Sequence, residues 1–242
     1  MIEIVEARLT SEGAGAEVRR LFPIPNLRMN YDPFVLWDHF FIQPGTGFPT
    51  HPHRGFEAIT YLFEGAMEHK DNLGNCSTVL PGGAQRFTAG RGLEHSEMPA
   101  IDGVTSGIQL WINLPKCLKQ LEPEYQQVDA EDITESEEHG IRIRHIVGEQ
   151  GKVQLHTPVV YQDVQLTADH EFSVAVPAAF RGLLFVVAGE LEYSGQSLQA
   201  GSTLFFDELD SLAIPAKVDS RFMLCMGKPH GEPIRQYGPY VD

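Results

Sequence analysis

Short apolar runs separated by glycine and proline dominate the chain. Sixteen prolines and 23 glycines punctuate it, and the runs between them are rich in Val, Ile, Leu, Phe, Thr and Tyr. Runs of this kind, about ten residues apart, predict the strands of an all-β sandwich or barrel and not an alternation of strands and helices. The predicted strands are 34–42, 57–63, 107–114, 183–188, 202–206 and 221–226. A helical turn is expected within 115–125.

One acidic stretch interrupts this pattern. Residues 129–139 read DAEDITESEEH, which is polar, weakly periodic and typical of a linker or an exposed loop. A chain of 242 residues can hold one large domain or two smaller ones. We therefore predict an N-terminal domain over 1–128, an acidic linker over 129–140, a C-terminal domain over 141–228 and a tail over 229–242.

The two predicted domains resemble each other around a pair of glycines. YLFEGAMEH contains Gly65 and FVVAGELEY contains Gly189, and both place an apolar run before the glycine and an alternating strand after it. Aligning these two glycines also matches Gly83 with Gly201, although the second copy has the shorter spacing. A weak internal repeat of β units suggests two barrels that arose by duplication.

Charge and cysteine content narrow the possible partners. With 18 Lys and Arg against 33 Asp and Glu, the formal net charge is −15, so we expect no direct binding to nucleic acid or to an anionic membrane. Cys76, Cys117 and Cys225 are few and far apart, which suggests free thiols in a reducing compartment. The N-terminus MIEIVEARLT lacks the basic start of a secretory signal, and no apolar run is long enough to span a membrane. A cytoplasmic protein is expected.

Two pairs of polar residues have the spacing of metal ligands. Side chains at i and i+2 of a strand share one face, so His51 and His53 in THPHRGF point the same way, as do His95 and Glu97 in GLEHSEMP. Two such pairs on neighbouring strands of a small barrel can converge on one interior point. Three neutral imidazoles and a carboxylate with open positions suit Fe(II), and could also accept Zn, Mn, Ni or Cu.

An isolated histidine is more often structural or exposed than a metal ligand, and the remaining histidines are expected to be so. They are His39, His69, His139, His145, His156, His170 and His230. The internal repeat favours a metal role for the two pairs, because the aligned positions of the second copy cannot bind a metal through their side chains. Those positions are Ala175, Pro177, Ala213 and Pro215.

The longer string HPHRGFEAITYLFEG, followed by LPGGAQRFTAGRGLEHSEMP, resembles the motifs of the pirin family within the cupin superfamily. Similar stretches are EVRRLFP, DPFVLWDHF, LWINLP, EPEYQ and GEPIRQYGPYV, so the resemblance covers nearly the whole chain. It implies a bicupin, in which two cupin-type β-barrels pack together and the N-terminal barrel carries the metal. By resemblance the ligands are His51, His53, His95 and Glu97, whereas Glu57 supports the site without binding the metal.

The resemblance also implies an activity. Pirins of the bacterial type are associated with quercetin 2,3-dioxygenase activity, which implies a flavonol-like substrate, O2 and a metal acting as Lewis acid, template and redox centre. Glu97 is then a candidate general base, the alternative being that it is a ligand only. Phe48, Phe56 and Trp111 are candidates for the walls of a flat apolar pocket, the alternative for each being plain barrel core.

Two other interpretations remain open. Some pirins are described as iron-dependent regulators that bind a transcription factor or an enzyme, and an acidic surface is compatible with a basic partner protein. The third is a metal-binding barrel that acts on an unknown small substrate. In any of them Glu94, which precedes His95 in the predicted strand, is expected to point away from the metal.

Overall fold

The computed structural model describes residues 1–242 and contains 24 strands and one short 3-10 helix, Lys116–Leu118. In chain order the strands are β1 (Ile2–Glu6), β2 (Arg8–Glu12), β3 (Ala16–Phe22), β4 (Phe34–Ile42), β5 (Phe48–His53), β6 (Phe56–Glu64), β7 (Met67–Asp71), β8 (Cys76–Val79), β9 (Ala84–Thr88), β10 (Leu93–Pro99), β11 (Thr105–Asn113), β12 (Glu124–Val128), β13 (Thr134–Glu138), β14 (Ile141–Val147), β15 (Val159–Leu166), β16 (Glu171–Ala175), β17 (Arg181–Ala188), β18 (Glu190–Tyr193), β19 (Gln196–Gln199), β20 (Ser202–Asp207), β21 (Ser211–Pro215), β22 (Ser220–Gly227), β23 (Gln236–Tyr237) and β24 (Tyr240–Val241).

The chain forms two compact units, and neither is continuous in sequence. The N-terminal unit comprises Arg8–Asp132, Val153–Thr157 and His230–Asp242. The C-terminal unit comprises Met1–Ala7, Ile133–Lys152 and Pro158–Pro229. The predicted boundaries at 128, 141 and 229 therefore differ from the units, because β1 pairs with β20 of the C-terminal unit while the last residues fold with the N-terminal unit.

The N-terminal unit is built from a seven-stranded sheet in the order β12-β9-β6-β11-β4-β3-β2 and a four-stranded sheet in the order β5-β10-β7-β8. Both sheets supply apolar side chains to the core. Phe40 and Leu62 of the larger sheet pack in one cluster with Met67 and Val79 of the smaller sheet. Burying such side chains is the main force that holds the two sheets together.

The C-terminal unit repeats this plan. Its seven-stranded sheet has the order β1-β20-β17-β22-β15-β14-β13, and two two-stranded sheets, β16-β21 and β18-β19, supply the remaining strands. One core cluster joins them, with Leu184, Phe206 and Phe222 from the large sheet and Phe172 and Leu198 from the two small sheets. The prediction of an all-β fold with two domains is confirmed.

The predicted elements agree with the structure. β4 occupies 34–42 as predicted, and each of the other five predicted strands overlaps β6, β11, β17, β20 or β22. The predicted helical turn within 115–125 is the 3-10 helix at Lys116–Leu118. The sequence pattern predicts these strands because nearly every position in them is apolar and buried, which is typical of strands at the centre of a sheet.

The internal repeat is also visible in the backbone. Gly65 and Gly189 lie at equivalent corners after β6 and β17, with φ of 81° and 84°. A Cβ at either position would collide with the residue opposite, Thr105 in one unit and Ser220 in the other. Glycine is required at both corners because it alone tolerates this φ without a steric penalty and leaves room for the crossing strand.

The acidic stretch is not a simple linker. β13 lies within 129–140 and pairs with β14 at the edge of the C-terminal sheet. The two strands form a continuous antiparallel ladder from the Thr134/His145 pair to the Glu138/Ile141 pair. Glu135 also accepts hydrogen bonds from Arg142 Nε at 2.8 Å and Arg144 Nη1 at 3.3 Å. Exposed acidic side chains suit an edge strand, whose outer face remains in water.

The state of the cysteines and the length of the helix bear on the predictions about free thiols and membrane spans. All three cysteines are free, with Cys76 and Cys117 exposed and Cys225 buried. Complete burial raises the pKa of the Cys225 thiol well above its usual value. No helix in the structure is both long and apolar enough to cross a membrane.

Candidate metal centre

The register of the four-stranded sheet brings the predicted ligands together. β10 runs antiparallel between β5 and β7, and it places His95 opposite His51 on one side and opposite Asp71 on the other. A bulge follows His95, so that Glu97 pairs with Phe48. Because side chains alternate across a strand, His51, His53, His95 and Glu97 all face the interior of the N-terminal unit.

The three imidazoles form a compact triangle. The ring centroids of His51 and His53 are 4.5 Å apart, those of His51 and His95 4.6 Å, and those of His53 and His95 4.9 Å. Each ring offers one nitrogen to a group in which all ligand atoms lie within 4.8 Å of one another. His53 and His95 are buried, whereas His51 is partly accessible. The three rings can therefore face a single ion.

The Nδ1 atoms of the three rings have partners within the protein, which leaves the three Nε2 atoms for a metal. His51 Nδ1 donates to the carbonyl of Pro49 at 2.7 Å, and His53 Nδ1 lies 3.4 Å from the carbonyl of Pro239. A carbonyl only accepts, so these contacts place the proton of each neutral ring on Nδ1. His95 Nδ1 is also engaged, 3.4 Å from His69 Nδ1. Such fixing of the second nitrogen is typical of histidines that bind metals.

Burial keeps the rings of His53 and His95 in the neutral form that binds metal. It lowers the pKa of His53 to about 3, with the neighbouring His51 acting in the same direction. Burial together with His53, His51 and His69 also lowers the pKa of His95. A metal competes with protons for an imidazole nitrogen, and here two of the three rings resist protonation.

One buried nitrogen indicates that the donor set fits a cation. His95 Nε2 is buried and has no hydrogen-bond partner in the protein. An unpaired buried polar atom is costly, and a metal ion between the three rings would satisfy it. Three neutral imidazoles suit Fe, Zn, Ni or Cu in their divalent states. The chemistry of the residues therefore fits a divalent transition metal.

Glu97 stands beside this group and is not a member of it. The atoms that lie within 4.8 Å of one another come from the three histidines alone. The carboxylate is buried, and its Oε1 accepts a hydrogen bond from Thr60 Oγ1 at 2.7 Å and another from Gln85 Nε2. Glu97 also lines the same cavity as His51 and His53. Its role as the fourth ligand stays a prediction.

The two neighbouring glutamates have other surroundings. Glu57 is fully buried, and its carboxylate accepts from Thr88 Oγ1 at 2.8 Å and from the backbone N–H of His156 at 2.9 Å. Burial raises its pKa, although these hydrogen bonds oppose the shift. Glu57 therefore anchors the segment Val153–Thr157 to the N-terminal unit. Glu94 is exposed, as the strand alternation predicts.

A cavity of about 560 Å³ opens onto the three-histidine group. His51, His53 and Glu97 contribute to its floor, and Phe48 and Trp111 to its apolar walls. The third predicted wall residue does not reach it, because Phe56 is fully buried and stacks on Trp111 at 4.1 Å. Small-molecule sites typically have volumes of about 300–1,000 Å³ and mostly apolar linings with a few polar groups. The cavity has the size and lining of a small-molecule site.

A charged group forms one side of this cavity. Arg20 makes two hydrogen bonds to Asp38, from Nε at 2.8 Å and from Nη2 at 2.6 Å, and a salt bridge to Glu12. Burial raises the pKa of Asp38 to about 6, against the opposing effect of Arg20. Gln109 lies on the same cavity and contacts Thr60, which in turn holds Glu97. These groups can orient a ligand that carries several hydroxyl groups.

The last residues of the chain close another side. Pro239 lines the cavity, and Val241 N donates to the carbonyl of Arg54 at 2.9 Å. Lys119 Nζ fastens this segment by donating to the carbonyls of Gly55 at 2.9 Å and Val241 at 3.0 Å. The segment predicted as a tail over 229–242 is thus part of the site.

The lowered pKa values predict how acid affects the metal-free protein. A histidine that is neutral in the folded state and basic in the unfolded state favours unfolding once the unfolded chain can be protonated. The free energy of unfolding should therefore fall as the pH drops from about 6.5 towards about 3, the window set by His53. The expected slope is at most about 1.4 kcal/mol per pH unit for each such histidine. Urea unfolding in the presence of a chelator measures it.

The matched variants are His53→Gln and His139→Gln. His139 is exposed, so its replacement should leave the slope unchanged, whereas His53→Gln should make the profile less steep. An identical profile for His53→Gln and the unmodified chain would contradict the prediction.

The sequence did not identify every residue around the centre. None of the other seven histidines belongs to the three-histidine group, but His69 lies against His95, with ring centroids 5.2 Å apart. The spacing His69-x-Asp71 on a strand was the available signal, since it repeats the i, i+2 pattern of the ligands. The contribution of Pro239 had no signal in the sequence, because it comes from a distant part of the chain.

Comparison with known proteins adds the relatives of this chain. A model of the pirin family matches residues 15–112, and a model described as the pirin C-terminal cupin domain matches residues 161–242. A pirin-like protein of Solanum lycopersicum is 38% identical over 100% of this chain and 86% of its own length. Pirin of Homo sapiens is also 38% identical, over 98% of this chain and 85% of its own length.

Solved structures give the same answer for the fold. The crystal structure of a quercetin 2,3-dioxygenase from Acinetobacter baumannii is 30% identical to this chain and superposes with a TM-score of 0.91. The match covers 99% of this chain and 90% of that protein.

Proposed function

Because the chain belongs to the pirin family, we propose that it is an Fe(II)-dependent oxygenase of the quercetin 2,3-dioxygenase type. The observation that carries the proposal is a triangle of three imidazoles, two of which line a largely apolar cavity of about 560 Å³. The similarity to a quercetin 2,3-dioxygenase structure supports the substrate class. The reaction would combine a flavonol with O2, open the central ring and release one ring carbon as carbon monoxide, with both oxygen atoms of O2 entering the products.

In this proposal His51, His53 and His95 hold the metal through Nε2, and Glu97 completes the set. A divalent metal held there supplies Lewis acidity and a template, and iron adds redox capacity. Zn, Mn, Ni and Cu could bind the same donors. Elemental analysis of protein purified from its native host would identify the metal that is bound.

The cavity residues bind and orient the substrate. The flat ring system of a flavonol would pack against Trp111, whose own position is fixed by stacking on Phe56, and against Phe48. The hydroxyl groups would meet Gln109 and the Arg20–Asp38 pair on the charged side. A bound substrate packed against these apolar walls would displace water, which strengthens the electrostatic interactions inside the cavity.

Glu97 would accept the proton of the flavonol hydroxyl. A general base must lie within hydrogen-bond reach of the proton that it removes, and Glu97 lines the cavity next to His51 and His53. Its Oε1 is held by Thr60 and Gln85, which fixes the direction of the carboxylate. Positioned acid–base groups contribute about 10²–10⁴-fold to rate.

Anaerobic loading of the metal-free protein with Fe(II), followed by quercetin and O2, tests the proposal. We expect loss of the flavonol absorption band and release of carbon monoxide in equal molar amounts. His95→Ala protein mixed with the same quantity of iron is the matched control, since it reports oxidation by iron that is not held in the site. Turnover no greater than in this control would exclude the dioxygenase activity.

A further inference from the structure

A further buried histidine, outside the three-histidine group, lies directly behind the candidate metal centre. His69 on β7 is completely buried, and its Nδ1 lies 3.4 Å from His95 Nδ1. On the other side of the ring, His69 Nε2 lies 3.1 Å from Asp71 Oδ2. Tyr125 stacks on the ring at 4.3 Å and holds its plane. Asp71, His69 and His95 thus form a continuous line of polar contacts that ends at the unpaired Nε2 of His95.

Asp71 is fixed independently of the histidines. Its Oδ1 accepts from the backbone N–H groups of Leu73 at 3.0 Å and Asn75 at 2.9 Å, and its Oδ2 accepts from Asn75 Nδ2 at 2.8 Å. Burial alone would raise the pKa of Asp71, but the hydrogen bonds from Asn75 and His69 outweigh it and lower the pKa. Because both of its oxygens already accept hydrogen bonds from N–H donors, Asp71 faces His69 as a carboxylate that can only accept.

The direction of every proton in the line follows from that carboxylate. His69 Nε2 must donate to Asp71, so Nδ1 of the neutral His69 ring is an acceptor. That acceptor faces His95 Nδ1, which must then carry the proton of the His95 ring. The lone pair of His95 is left on Nε2, the atom directed at the metal centre. Asp71 thus decides the tautomer of a ring that it does not touch.

We propose that His69 and Asp71 are positioning residues that hold His95 in its metal-binding tautomer. The inference rests on the proposed metal site and extends it to two residues that bind neither metal nor substrate. It also gives a role to a polar pair buried next to the site, a pair that apolar groups of the same shape could replace at little cost to stability. Outer-shell partners of this kind typically change metal affinity by 10–100-fold.

Three substitutions test the line. His69→Phe keeps a ring for Tyr125 to stack on but removes both nitrogens. His69→Gln can still donate from its amide to Asp71 and accept from His95 through its carbonyl. Asp71→Asn can present an N–H to His69, which would reverse every donor in the line and move the His95 proton to Nε2. The matched control is Lys70→Gln, an exposed position on the same strand.

Competition titration with Co(II) measures affinity in the folded variants. We expect a 10–100-fold loss for His69→Phe and Asp71→Asn, a smaller loss for His69→Gln and no change for Lys70→Gln. Nitrogen-15 NMR of the protein after a chelator has removed its metal should show the proton of His95 on Nδ1 in the unmodified chain and on Nε2 in Asp71→Asn. Thermal melts confirm that each variant is folded. If Asp71→Asn does not fold, the comparison of His69→Phe with His69→Gln still tests the inference.

The outcomes separate this inference from the proposed function. If His95→Ala loses Co(II) while His69→Phe and Asp71→Asn bind it within twofold of the unmodified chain, the line has no positioning role and the metal site stands. Equal losses in His69→Phe and His69→Gln would show that packing and not hydrogen bonding matters, which also overturns the inference. If His95→Ala itself keeps its metal, the proposed site fails first.

Discussion

Replacement of His95 by alanine should lower the affinity for a divalent metal by more than 100-fold. An outer-shell partner alone typically changes affinity by about 10–100-fold, and His95 is expected to be a direct ligand. It is also the most constrained of the three rings, buried between His51, His53 and His69 with its Nε2 unpaired. Elemental analysis of purified protein and Co(II) titration measure the loss.

His230→Ala is the matched control for this experiment. His230 is a partly buried histidine of the same unit, and its Nε2 contacts Thr157 Oγ1 at 3.2 Å and not the three-histidine group. This variant should keep one metal ion per chain. Stoichiometric metal in folded His95→Ala would contradict the ligand assignment.

Replacement of Glu97 by glutamine should affect metal binding and turnover, whereas the same replacement of Glu57, the other buried glutamate near the site, should affect stability. In Glu97→Gln the amide binds a metal poorly and cannot accept a proton, so we expect at least a tenfold loss of metal affinity and a fall of about 10²–10⁴-fold in flavonol turnover. Both effects depend on the cavity that Glu97 shares with His51 and His53. Co(II) titration and carbon monoxide release provide the two measurements.

Glu57→Gln is the matched comparison. It removes one of the two acceptors used by Thr88 and the backbone of His156, so it should lower the free energy of unfolding by about 1–3 kcal/mol while one metal ion per chain remains bound. Unchanged metal affinity in Glu97→Gln would remove it from the ligand set, and unchanged turnover would remove it as the general base. Loss of metal in a folded Glu57→Gln would instead assign a ligand role to Glu57.

The sequence predicts the central strands well and the domain limits less well. Central strands such as β4 and β22 were predicted because burial on both faces leaves an unmistakable apolar run. β13 was predicted as a linker because an edge strand needs no such run, and its pairing with β14 is a backbone ladder that the acidic sequence does not reveal. The domain limits differed for a similar reason, since β1 and the final residues find their partners far along the chain.

In the metal centre, too, the sequence indicates some features and the tertiary structure decides the others. The sequence by itself indicated the three imidazoles as candidate ligands. The i, i+2 rule of a strand is local, and it puts His51 and His53 on one face without any knowledge of packing. It also carried the family, through motifs that run along most of the chain.

Only the tertiary structure decided what surrounds those imidazoles. It brought Pro239 to His53 across 186 residues, set His69 and Asp71 behind His95, placed the Arg20–Asp38 pair on the cavity and held Glu97 against Thr60. Such contacts join residues from different strands, and their geometry follows from sheet register and core packing, which no local pattern of residues records.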